Sequence, residues 1–144
     1  MICRIIFLSL VSLSLCWADL TLVMAEPNLE KRSEKAMKNA HAALDRARQA
    51  LKDRDQAAET AAIAEIGESV ELCKESLDKS GKNPRRSPKY FKRAEIEIRK
   101  LIRRLDSFRL EMSFDDRESI DKLIARFHQI HEEIIAGIMG KKGK

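Results

Sequence analysis

Apolar residues recur every three to four positions in four successive runs between Leu29 and Ile138. That period is the signature of helices with one buried face, and it restricts the chain to an all-α fold. The first run is Leu29, Ala36, Met37, Ala40, Ala43, Leu44, Ala47, Ala50 and Leu51. The second is Ala58, Ala61, Ala62, Ile66, Val70, Cys73 and Leu77. The third is Phe91, Ala94, Ile98, Leu101, Ile102, Leu105, Phe108 and Met112, with heptad-like, coiled-coil spacing. The fourth is Ile120, Leu123, Ile124, Phe127, Ile130, Ile134, Ile135 and Ile138. Five Gly and three Pro in 144 residues leave too few turn formers for a β sandwich or barrel.

Breaks between the runs set the element boundaries. Pro27 or Asn28 opens the first helix. Lys52-Asp53-Arg54-Asp55 interrupts its stripe with charge, and Asp55 is a candidate cap for a new helix. One helix over 28–79 is the rival reading. It would be about 75 Å long, and the rest of the chain covers it only as two helices laid end to end, so two helices are favoured. Ser80-Gly81-Lys82-Asn83-Pro84 is a stop. Ser87-Pro88 reads as an N-cap followed by a helix-opening proline. Ser113-Phe114-Asp115-Asp116 ends the third helix and caps the fourth. The expected helices are 29–52, 56–79, 88–112 and 116–138, each about 35 Å long. Near-equal lengths and short connections predict an up-down-up-down four-helix bundle over 26–140, with 141–144 as a basic tail.

A different segment precedes them. Residues 1–25 hold 19 apolar residues and two charges, Arg4 and Asp19. Arg4, the apolar stretch Ile5 to Ala18 and the small residues at Val23-Met24-Ala25 read as a signal-peptide helix. Cleavage after Ala18 or after Ala25 and retention as an anchor all remain open. Asp19 shortens the apolar run below the ~20 residues of a spanning helix, which favours a membrane encounter only during export. The mature chain is then periplasmic or secreted. It retains one cysteine, Cys73, and forms no internal disulfide; the place of Cys73 on the apolar stripe marks it as a core residue. Leu, Ile, Val and Phe make up only 25 of residues 26–144. Such a lean core makes homo-oligomerisation a further expectation.

Catalytic chemistry finds no foothold. No phosphate-cradling Gly loop, H-E-x-x-H or G-x-S-x-G is present. The expectation is a non-enzymatic protein without a cofactor. His128 and His131 stand at i and i+3 on one helix and make up a minimal metal-binding pair. A third ligand from elsewhere, His41 or a glutamate, would be needed.

Charge is the informative feature. Residues 26–81 carry 10 basic and 12 acidic side chains, whereas 82–144 carry 17 and 10. The excess gathers in Lys82–Arg109, and Arg85, Arg86, Lys89, Lys92, Arg93, Arg99, Lys100, Arg103 and Arg104 are the candidate anion-binding residues. Export argues against nucleic acid as the partner and for an anionic envelope component or an acidic protein. A solvated face that pairs with the acidic first half is the plainer reading of the same charges.

Asn83–Asp106 (NPRRSPKYFKRAEIEIRKLIRRLD) and Ser113–Arg117 (SFDDR) resemble small exported, all-helical bacterial proteins of uncharacterised function. The resemblance implies an envelope protein that binds or scaffolds, and it supplies no binding residue. The segments around Ala43–Leu51 and Ala57–Ile66 are similar to a single tetratricopeptide-type hairpin, but lack its signature aromatics and any second copy.

Overall fold

The structure, a computed structural model, describes residues 16–140. Five helices follow one another: α1 (Cys16–Met24), α2 (Leu29–Asp53), α3 (Gln56–Lys79), α4 (Lys89–Glu111) and α5 (Glu118–Met139). A short 3₁₀ turn, Phe114–Asp116, precedes α5. The described residues contain no strand, and none of their helices is long and apolar enough to cross a membrane. Most of the expected leader (1–15) and the basic tail (141–144) lie outside the described residues.

Local chemistry explains the boundaries. Asn28 opens α2, its side chain accepting the Lys31 N–H at 2.9 Å. The chain between 28 and 79 is two helices. Arg54 adopts φ 56°, a left-handed conformation that reverses the backbone, and its N–H reaches the carbonyls of Ala50 and Leu51. Asp55 then caps α3 by accepting from the Ala58 N–H at 3.0 Å. Two other caps differ from expectation. Ser87 does not cap α4; Pro88 already has helical φ −77° and ψ −9°, and no side chain caps the helix. Ser113 bonds the Asp116 carboxylate, not the start of α5, because the 3₁₀ turn intervenes.

Side-chain pairs fix the topology. Asn39 meets Glu65 and Ser69, and Arg109 meets Asp121 while Glu95 meets His131. Each of α2/α3 and α4/α5 is therefore an antiparallel hairpin. Glu34 pairs with Arg93 and Asp45 with Arg104, so α4 runs parallel to α2. Arg126 pairs with Glu71 and Lys74 with Glu133, so α5 runs parallel to α3. Directions alternate along the chain, yet the two hairpins lie side by side. The linker after α3 passes over the start of α2, where Lys82 pairs with Glu30.

The core joins all five helices. Ala36, Ala40, Ala43, Leu44, Ile66, Val70, Cys73, Ile98, Leu101, Leu105, Phe108, Ile120, Phe127 and Ile130 are each fully buried. Gly67 lets α5 close on α3: a Cβ there would sit 3.0 Å from Leu123 Cδ2. Burial pushes the Cys73 thiol up to about 12, which keeps it a protonated, inert core residue. The described end of the expected leader, α1, lies against α2 and α3, and its Val23 enters the core.

Candidate anion-binding surface

Seven of the nine candidate cations sit on α4 at helical spacing, and Arg85 and Arg86 precede the helix in the linker. (Lys89 is the first residue of α4.) The structure divides the α4 cations into two rows. Arg93, Lys100 and Arg104 fall at intervals of seven and four, and Arg93 and Arg104 reach across to α2. Arg93 pairs with Glu34, Arg104 with Asp45, and Lys100 with Glu97 of its own helix at 2.8 Å. The acidic first half thus neutralises Arg93 and Arg104 across the α2–α4 contact, as the plainer reading of the charge pattern anticipates, while Lys100 is paired within α4.

Lys89, Lys92, Arg99 and Arg103 form the second row, spaced 3, 7 and 4 along the helix, and all four are exposed. Arg99 reaches Glu95 at 3.5 Å. Lys89 stands 5.3 Å from the centre of the Tyr90 ring. Lys92 and Arg103 meet no carboxylate among the described residues, and neither do Arg85 and Arg86. Arg85 lies along Gly140: a Cβ there would come within 3.2 Å of Arg85 Cδ. The start of the outward row and the linker arginines therefore share the end of the bundle where α5 finishes, and the row runs on along α4 to Arg103.

The histidines are separated by their surroundings. His128 is exposed. His131 is largely covered, and its Nε2 lies 2.9 Å from Glu95 Oε1 on α4. No group of three or more His, Cys, Asp or Glu side chains among the described residues is placed to hold a metal ion. His41, the other candidate ligand, is drawn into the α2–α4 contact. Its Nδ1 lies 2.8 Å from Arg104 Nη1, and its Nε2 lies 3.2 Å from Glu97 Oε2. A guanidinium only donates, so Nδ1 is the acceptor and the proton of the neutral ring sits on Nε2. Burial, and next the Arg104 charge, hold the imidazole below its ordinary value of 6.5.

One buried polar cluster has no counterpart in the sequence reading. Asn39 Nδ2 donates to Glu65 Oε1 at 2.8 Å and to Ser69 Oγ at 2.9 Å, and Arg46 Nη2 lies 2.9 Å from the same carboxylate oxygen. Asn39, Glu65 and Ser69 are all buried. The signal was present: Asn39 flanks Ala36, Ala40 and Ala43, and Glu65 and Ser69 stand four apart beside Ile66 and Val70. Apolar stripes alone do not reveal polar residues at their margins. The cluster is closed on itself and pins α2 against α3.

No family model, curated protein or solved structure matches this chain. The functional reading therefore rests on the chemistry of these residues.

Proposed function

We propose that the chain is a non-enzymatic, exported helical-bundle protein of the cell envelope that binds an anionic partner through its basic surface. The observation that carries this reading is the unequal treatment of the cations. Those facing α2 are paired with carboxylates, while exposed Arg85, Arg86, Lys92 and Arg103 meet none among the described residues. Unpaired like charges repel one another and do not help a fold. A polyanion or an acidic protein surface would relieve that repulsion.

The test is replacement of Arg85, Arg86, Lys92 and Arg103 together by Ala, with binding to anionic vesicles and to polyphosphate measured across salt concentration. Wild-type binding should weaken as salt rises, and the variant should bind neither probe. Retained binding in the variant overturns the surface assignment. Export is tested separately by mass spectrometry of the exported protein. A cut after Ala18 leaves Val23 in its core position, whereas a cut after Ala25 removes α1 altogether.

A further inference from the structure

Two clusters of exposed apolar side chains lie at opposite ends of the α4–α5 hairpin, in opposite electrostatic settings. At the turn, Leu110 is 70% and Phe114 83% exposed. Glu111, Asp115, Asp116 and Glu118 outnumber Arg109 and Arg117 around them in sequence, although Arg117 lies 5.9 Å from the centre of the Phe114 ring. At the other end, Ile96 is 40% and Met139 60% exposed. These two line a surface groove with Ile135 and Ile138, and its rim carries Lys92, Arg99 and Glu95, the Glu95 carboxylate being engaged by Arg99 and His131, so that the rim is net basic. Arg85 lies beside the adjoining Gly140. In sequence, Lys141, Lys142 and Lys144 follow Gly140.

An apolar floor inside a basic rim is complementary to one kind of surface, in which anionic groups lie immediately above hydrocarbon. A soluble polyanion would use the cations and leave Ile96 and Met139 in water. The groove, of about 290 Å³, is at the bottom of the size range of ligand sites and leaves Ile96 and Met139 exposed, so the apolar side chains serve better by entering something than by holding it. Cations that bind headgroups while neighbouring apolar side chains reach the acyl boundary describe an interfacial helix. The acidic turn at the opposite end would be repelled by the same surface.

We infer that the α4–α5 groove is where the protein seats on an anionic phospholipid bilayer, with Lys92, Arg99 and Arg85 on the headgroups and Ile96 and Met139 below them. This rests on the anion-binding reading above and narrows its partner to a lipid surface.

The experiment uses the full chain. Wild type and variants are sedimented with vesicles containing phosphatidylglycerol and with pure phosphatidylcholine vesicles, and are titrated in parallel with polyphosphate. Wild type should bind the phosphatidylglycerol vesicles and not the uncharged ones. Ile96→Asn/Met139→Asn should lose about tenfold in vesicle affinity with polyphosphate affinity unchanged. Phe114→Asn, at the acidic end, should bind vesicles as wild type does. Every changed residue is exposed, and thermal unfolding monitored by circular dichroism checks that each variant stays folded. Undiminished vesicle binding by Ile96→Asn/Met139→Asn overturns the groove as the seat, whether the leader or another face carries the binding. Wild type that binds polyphosphate but not vesicles also overturns it, in favour of a soluble anionic partner, and leaves the anion-binding reading standing. If Lys92→Ala/Arg103→Ala binds both probes as tightly as wild type, that parent reading fails instead.

Discussion

The two hairpins have nearly the same length and direction but are held together by different means. In α2–α3 small side chains, most of them on α2, accompany Leu44, Ile66, Val70 and Leu77 in the contact. Ala36, Ala40, Ala43, Ala47 and Ala62 are almost completely buried, and their size lets the two backbones come close along their whole length. A polar seam, Asn39 with Glu65 and Ser69, fixes the register. In α4–α5 the buried side chains include Phe91, Ile98, Leu101, Leu105, Phe108, Ile120, Phe127 and Ile130, and volume replaces close approach. Alanine saves side-chain entropy but buries little area per residue, whereas Phe and Leu bury much and tolerate a wider gap. One hairpin depends on geometry and the other on the amount of apolar surface removed from water. Opposite kinds of substitution should therefore damage them.

The largest effect should come from emptying the bulky hairpin. Phe108→Ala, at a fully buried position, should cost about 3–5 kcal/mol in urea unfolding; a loss below about 1 kcal/mol would mean that the site collapses and volume does not hold this pair. Overfilling the tight hairpin should come next. Ala40→Leu has no space at 0% exposure and should cost about 2 kcal/mol by the same measurement, whereas a neutral result would show that α2 and α3 have room to spare. Cutting the polar seam should be milder. Glu65→Leu leaves the Asn39 amide half-satisfied and should cost about 1–2 kcal/mol. Adding Asn39→Leu should recover part of that loss, and strict additivity in the double-mutant cycle would show that the two side chains are not coupled.

The smallest effect concerns the contact that joins the hairpins. His41 faces Asp45 on its own helix and Glu97 and Arg104 on α4. Its imidazole binds a proton more weakly in the folded chain than in the unfolded one, so acid favours unfolding at this site. The stability it protects is complete above the ordinary imidazole value of 6.5 and is lost as pH falls through the lowered folded value. His41→Gln should flatten the pH dependence of unfolding in the window just below 6.5, and parallel curves for the two proteins would show that the ring does not titrate there. Glu26, Glu97 and Glu118 are held below the ordinary carboxylate value by Lys35, Lys100 and Lys122 respectively. Their stabilisation fades at lower pH, as it falls through those depressed carboxylate values, so the two windows are separable.

Much of this architecture is written in local pattern. The spacing of Phe91, Ile98, Leu101, Leu105 and Phe108 dictates a buried helical face, and Asn28 and Asp55 dictate where helices begin, because periodicity and capping are properties of neighbouring residues. Even the division at Arg54 is foreshadowed by charge replacing the apolar stripe, although its left-handed conformation is not. The basic stretch after Lys82 was equally legible as a composition. Which of its cations are neutralised was not. Arg93 and Arg104 pair with Glu34 and Asp45, about 59 residues away in sequence, and nothing local distinguishes them from Lys92 and Arg103. The same holds for Asn39 with Glu65 and for Ile96 with Met139: each pair is joined only when helices distant in the chain are laid side by side. The sequence by itself determined four amphipathic helices and an excess of positive charge in the second half. Only the tertiary structure decided that α4 lies along α2, and thereby which charges are cancelled inside the molecule and which face outward. The physical reason is that electrostatic and apolar complementarity depend on distance in space, and the helix period carries information only about the nearest turns.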